Sequence, residues 1–258
     1  MASSLTDRVA LVTGSTSGIG KGIALHLASL GARIVLHGRD AEGARAVGEQ
    51  IATRGGTADL FTGDLADPTV CHALVSFAVE RFGAIDVLVN NAAETTRGNL
   101  ESTSLELWDR LMAVNVRAPF LCVQEAVRHM KEHGGSIVNI GSVNAYIGDV
   151  KLHPYSVSKG ALMTFTRNAA SYLRRYRVRV NQINVGWTLT EGEQHVQRLE
   201  GNSETWADEA AKTRSWGRLL LPQDVAHAVA YFASDESELV TGSVLDLEQF
   251  PIGAPGTW

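Results

Sequence analysis

Tyr155 and Lys159 stand four positions apart just after Pro154, and that spacing is where the sequence first suggests chemistry. Proline suits the first turn of a helix, and on a helix positions i and i+4 share a face. A free phenol titrates at about 10, too high for a base near neutrality, but an ammonium held beside it stabilises the phenolate and lowers that value. The pair therefore predicts a group that can take or give a proton. Each residue alone also has a purely structural use, a tyrosine buried with its hydroxyl bonded or a lysine laying its stem along apolar surface.

A second chemistry is written in Thr13-Gly14-Ser15-Thr16-Ser17-Gly18-Ile19-Gly20, which follows an apolar run and leads into a helical pattern with Ile23, Leu27 and Leu30 on one face. Strand, glycine turn and helix in that order form a phosphate cradle. The backbone turns tightly, comes close to a pyrophosphate, and meets its charge with free N–H groups and the helix dipole. The expected contacts are Gly14, Ser15, Thr16, Ser17, Gly18, Ile19 and Gly20. A glycine turn that merely links strand to helix is the alternative, and the spacing here departs from GxGxxG. After the second apolar run the chain reads His37-Gly38-Arg39-Asp40. At this position an acid would hold a ribose 2′-hydroxyl and a basic group a 2′-phosphate. Arg39 is the first charge there, so NADP(H) is the preferred cofactor and NAD(H) the alternative. Asp40, just ahead of Ala41 and Glu42, reads as a helix N-cap.

These groups need a scaffold. Short β-branched runs at 9–13, 33–37, 57–62, 85–90, 136–141, 178–184 and 243–247 alternate with helical patterns at 19–30, 41–53, 68–82, 105–131, 155–172 and 222–233. Strands apolar on both faces, separated by helices, predict an α/β fold: a doubly wound, Rossmann-like parallel sheet of about seven strands with helices on both faces. Residues 1–258 are expected to form one domain. The polar stretch 190–215, between a strand and the final helix, is expected to be disordered or a substrate lid.

Of the 258 residues 45% are apolar and 20% charged, a globular composition. The net charge of −5 and scattered arginines argue against nucleic acid as a partner. No run approaches the length of a membrane span, and MASSLTDR leads straight into the first apolar run, so no membrane and no secretory signal are expected. Cys71 and Cys122 are too few for a disulfide framework or a zinc site and read as small buried apolar residues, which fits a cytoplasmic protein.

The glycine triplet, Asn90-Asn91-Ala92-Ala93, Val114-Asn115-Val116, Ser142 and Tyr155-Ser156-Val157-Ser158-Lys159 together resemble the short-chain dehydrogenase/reductase family, over nearly the whole chain. The resemblance implies hydride exchange between a nicotinamide and a secondary alcohol or ketone. It makes Tyr155 the acid and base, lets Ser142 hold the substrate oxygen, and has Asn115 order a water that relays protons to Lys159. It further implies that Asp64 and Leu65 flank the adenine, that Asn91 and Ala92 line the ribose side, and that the segment from Asn184 through Val185, Gly186, Trp187, Thr188 and Leu189 to Thr190 wraps the nicotinamide. Three departures stand out: Ala93 where the family has glycine, Val185 where it has proline, and Leu247-Glu248-Gln249 in place of Asp-Gly-Gly. The resemblance also implies a homo-oligomer, tetramer or dimer, built on 105–131, 155–172 and the last strand.

For the small-molecule substrate, polar residues around these motifs suggest a sugar or polyol: Glu94 and Arg97, Asn144 and His153, then Glu191, Glu193 and His195, with Trp187 beside them. The alternatives are a 3-oxoacyl thioester or steroid-like ketone in an apolar slot of Trp187, Trp206 and Tyr146, and a catalytically silent NADP(H)-binding regulator.

Overall fold

The computed structural model describes residues 4–251. One sheet of seven parallel strands runs through it in the order β3-β2-β1-β4-β5-β6-β7, which bears out the doubly wound α/β expectation. The strands are β1 (Val9–Val12), β2 (Arg33–Gly38), β3 (Thr57–Thr62), β4 (Val87–Asn90), β5 (Gly135–Ser142), β6 (Val178–Val185) and β7 (Val244–Leu247). Strand order reverses between β1 and β4, and there the carboxyl ends of the strands open a crevice.

Side chains alternate along each strand, so each feeds two cores. Ala10, Val12, Ile34 and Leu36 face the side covered by α1 (Gly18–Ser29), α2 (Ala41–Thr53) and the last helix, whose Ile23, Leu27, Val47, Val225 and Val229 join the same cluster. Leu11, Val35 and Leu88 face the opposite side, where α3 (Pro68–Phe82) contributes Cys71 and Leu74, and later helices add Cys122, Ala126 and Ala170. Both cysteines are thus free and buried. Asp40 does cap α2, its Oδ1 accepting the Glu42 N–H at 3.0 Å. Arg39 is thereby left as an exposed residue with no ion-pair partner among the described residues.

The helix expected over 105–131 is interrupted. It runs as α4 (Leu105–Met112), a π-helical turn (Ala113–Arg117) and α5 (Ala118–Met130). Pro119 explains the break: it has no N–H to give the Asn115 carbonyl, and its ring crowds that carbonyl in a regular helix. The chain widens, so that Ala118 N–H reaches back to Ala113. Beyond α6 (His153–Leu173), residues 190–215 carry two helices, α7 (Glu191–Leu199) and α8 (Trp206–Lys212). Trp206 and Ala210 pack with Leu219 and Leu189 into a small core of their own, and Trp206 stacks on Trp187 with ring centroids 5.5 Å apart. The last helix is α9 (Pro222–Ala233).

Candidate active site

A cleft of about 1220 Å³ lies along the carboxyl ends of the strands. At one end the glycine turn takes backbone conformations that suit glycine: Gly14 has φ +64 and Gly18 φ +51. A methyl at Gly14 would meet the Ala92 backbone at 2.9 Å. The turn is pinned from β4, where Thr13 Oγ1 accepts the N–H groups of Asn91 (2.9 Å) and Ala92 (3.0 Å). The Asn91 side chain donates in return to the carbonyls of Thr13 (2.9 Å) and Gly14 (3.0 Å). Asn91 therefore shapes the cradle rather than reaching across it.

The catalytic candidates come from β5 and α6. Ser142 closes β5, and its hydroxyl accepts the Asn144 N–H at 3.2 Å. Lys159, 2% exposed, donates to the Ile140 carbonyl at 2.8 Å and lies 5.5 Å from the centre of the Tyr155 ring. Helical spacing thus does put the two on one face. Their protonation differs from the sequence-based expectation. Burial pushes the Tyr155 phenol up to about 12, with the neighbouring Ser142 hydroxyl pulling down and the Glu193 carboxylate pushing further up. Desolvation pulls the Lys159 ammonium down to about 8. The Lys159 ammonium, itself desolvated, does not offset the burial of the phenol, which stays protonated at neutral pH.

Of the residues expected to bind the dinucleotide, Gly14, Thr16, Ser17, Gly18, Ile19, Gly20, Arg39, Asp64, Leu65, Asn91, Ala92, Val185, Gly186, Thr188 and Thr190 line the cleft with Tyr155 and Lys159. Ser15 does not. It is fully buried, braced against β2 by the His37 N–H at 2.9 Å, because the tight turn points it inward. Asn115 is buried behind the wall, where its amide donates to the Glu94 carbonyl (2.9 Å) and Ser158 Oγ (3.0 Å) and accepts the Glu94 N–H (2.7 Å). Among the substrate candidates Glu94, Asn144 and Trp187 line the cleft. His153 is exposed at the start of α6, its backbone held by Gly98. Glu191 turns toward the glycine turn and accepts the Gly18 N–H at 3.3 Å.

The fit of the cradle to a phosphate can be read from that last contact. The Gly18 N–H, at the N-terminus of α1, already takes an anionic oxygen as its acceptor. The opposite half of the cleft is a network. Glu193 Oε1 accepts from Trp187 Nε1 (2.9 Å), Gln197 Nε2 (2.7 Å) and Arg97 (3.4 Å), and Arg97 also pairs with Glu200 at 3.3 Å. Arg110 holds Asp64 at 2.7 Å and keeps its carboxyl below the usual carboxylate range. Sequence reasoning missed Arg110, Gln197, Arg214, Glu248 and Phe250, all of which line the cleft. For Glu248 the sequence did hold a signal, the departure from Asp-Gly-Gly. A chain of polar side chains crosses five elements: Asn90 to Asn139 (2.9 Å), Asn139 to Thr166 (2.9 Å), Thr166 to Gln182 (2.9 Å), Gln182 to Asn184 (2.7 Å) and Asn184 to Asp246 (2.9 Å). It ties the ends of β4, β5, β6 and β7 in register behind Ser142 and Val185.

Comparisons with known proteins agree with this geometry. A family model described as enoyl-(acyl carrier protein) reductase matches residues 14–248. An uncharacterized oxidoreductase of Thermotoga maritima is 37% identical over 93% of this chain and 96% of its own length. The NADP-dependent (R)-specific alcohol dehydrogenase of Lentilactobacillus kefiri is 35% identical over 94% of this chain and 96% of its own. A Beutenbergia cavernae structure, provisionally described as an NAD(P)-dependent gluconate 5-dehydrogenase with bound NADP, superposes with a TM-score of 0.87 at 32% identity, covering 95% of this chain and 97% of that one. The chain belongs to the short-chain dehydrogenase/reductase family, oxidoreductases that act on alcohol and keto groups. Among the described residues no helix is long and apolar enough to cross a membrane.

Proposed function

We propose that this protein is an NADP(H)-using reductase of ketones on hydroxylated substrates, running the reverse oxidation with the same groups. The observation that carries the reading is the meeting of Tyr155, Lys159 and Ser142 at one end of a cleft whose other end is the glycine cradle. When bound, the nicotinamide supplies or accepts the hydride. Tyr155, protonated at neutral pH, gives its proton to the carbonyl oxygen in reduction and recovers one in oxidation. Ser142 holds that oxygen by hydrogen bond. Lys159 anchors the tyrosine helix to β5 through Ile140 and places its positive end beside the phenol. Asn115 fixes Glu94 and Ser158, and its carbonyl, which Pro119 cannot bond, is the acceptor for a water feeding protons toward Lys159.

Arg39 supports NADP(H): it lines the cleft, and no carboxylate neutralises it among the described residues. The hydrogen-bonding walls of Glu94, Asn144, Glu193 and Gln197 support a sugar or polyol over a purely apolar ketone. We take residues 190–215 as the lid over one domain. Exposed apolar residues on α5 and α6, Phe120 at 45% and Val157 at 42%, support a homo-oligomer, tetramer or dimer, and the free, buried Cys71 and Cys122 fit a cytoplasmic location. The test is turnover of ketoses and polyols with NADP(H), against Tyr155→Phe. Loss of roughly 10²–10⁴-fold in kcat/KM on a hydroxylated substrate is expected. Turnover confined to 3-oxoacyl thioesters would overturn the polyol reading.

A further inference from the structure

At the substrate end of the cleft, Arg214 is held in an unusual way. Its guanidinium lies 5.5 Å from the centre of the Trp187 ring and 5.1 Å from that of Phe250. The side chain is only 16% exposed, and its Nε is buried with no hydrogen-bond partner. Among the described residues the carboxylate facing it is Glu248, at 3.9 Å, beyond hydrogen-bond reach. Glu248 is engaged elsewhere: Oε1 accepts the Gln249 N–H at 2.6 Å, and the carboxylate sits tightly against Gly186.

The other cations around the cleft are spoken for. Arg97 holds Glu193 and Glu200, Arg110 holds Asp64, and Lys159 is bonded to the Ile140 carbonyl. Lys151, 63% exposed, pairs with Glu200 at 3.7 Å. Arg39 stands at the cofactor end. Among the described residues around the cleft, Arg214 alone combines burial with a guanidinium that has no hydrogen-bond partner, its one charge partner being Glu248 at 3.9 Å. Its position is also built rather than incidental, because Gln249 accepts the Trp216 N–H at 3.0 Å and donates to the Arg218 carbonyl at 2.6 Å, clasping the Arg214 segment to the Glu248–Phe250 segment. Taking a guanidinium out of water is costly unless a partner meets its N–H groups, and a planar fork between two aromatic rings matches the two oxygens of a carboxylate.

We infer that Arg214 is a carboxylate-recognition residue and that the substrate is an anionic hydroxy or keto acid. The inference rests on the reading of the cleft as an alcohol–ketone site, and it narrows the polyol class to its acids. Trp187 joins the two functions, since its ring flanks Arg214 while its Nε1 bonds Glu193, the carboxylate felt by Tyr155.

The experiment pairs each acid with its neutral amide: D-gluconate with D-gluconamide, and acetoacetate with acetoacetamide. Binding is followed by calorimetry in the presence of NADP⁺ for gluconate and its amide, and turnover with NADPH for acetoacetate and its amide. In the wild type at least one acid is expected to exceed its amide by about tenfold or more, in affinity or in kcat/KM through KM. Arg214→Met should erase that ratio by lowering the acid far more than its amide, and Arg214→Lys should keep part of it. Amides handled as well as their acids, or an Arg214→Met variant that weakens acid and amide alike, would overturn the assignment of Arg214. Polyols that bind but are never oxidised would instead count against the proposed reaction, and the calorimetric ratio would still decide Arg214.

Discussion

Glu191, at the start of α7, accepts the Gly18 N–H at the N-terminus of α1, so a carboxylate of the protein rests at the donor best placed for a phosphate. The two anions cannot share that N–H. Glu191→Gln removes the negative charge and should tighten NADPH by about two- to fivefold, the scale of a charge at a helix N-terminus. Fluorescence titration measures it, and unchanged or weaker binding would mean that Glu191 moves aside at no cost.

Arg39 should set the cofactor preference. Arg39→Asp is expected to lower NADPH affinity by about tenfold or more, through loss of a charge-assisted contact, and to bring NADH level with or ahead of it. Titrating both nucleotides against both proteins decides it. A wild type that prefers NADH would return Arg39 to the role of a solvated loop residue.

The protonation of the pair gives a signed pH profile. Tyr155, held at about 12, keeps its proton through the neutral range, while Lys159 loses its charge as pH rises through about 8. Ketone reduction, which needs the tyrosine proton and the positive neighbour, should therefore be level below that value and fall above it. Lys159→Arg should move the alkaline limb upward, because guanidinium stays charged. A reduction profile that rises from pH 8 to 10 in the wild type would contradict the assignment.

Lys159 should also cost stability. Its folded value, about 8, lies below the ordinary 10.5, so the fold disfavours the charged form. That penalty is complete below pH 8 and is relieved as pH climbs toward 10.5. Lys159→Met should thus be inactive yet more stable by about 1–4 kcal/mol at neutral pH. Thermal unfolding of both proteins should show the gap closing across that alkaline window.

Asn115 should behave oppositely. Asn115→Ala strips partners from the Glu94 N–H and carbonyl and from Ser158, and should destabilise by about 1–3 kcal/mol in denaturant unfolding as well as slowing turnover. Loss of activity with unchanged stability would leave it a relay residue only.

What the sequence made legible was local. Tyr155 and Lys159 meet because a helix repeats, and Gly14 and Gly18 turn because only glycine does so cheaply, so spacing was enough for both. The strand pattern carried the sheet for the same reason. The inward turn of Ser15, the exposure of His153 and the reach of Glu191 to Gly18 depend on where distant segments come to rest, which no short-range pattern encodes. Arg214 and Phe250 meet across the sheet's far end and were invisible for that reason. The break at Ala113–Arg117 was readable in principle from Pro119 four residues beyond Asn115.

The clasp that Gln249 makes between the Arg214 and Phe250 segments has a consequence for how this protein can change. Tyr155 and Ser142 sit on α6 and β5, whereas part of the wall that meets the substrate comes from Trp187 onward, where Gln249 and Arg214 join the two segments. Residues 214–218 and 247–251 are therefore coupled to each other and, because Gly186 donates to the Leu247 carbonyl at 3.0 Å, to the cofactor side as well, so a change of taste in one segment has to be matched in the other.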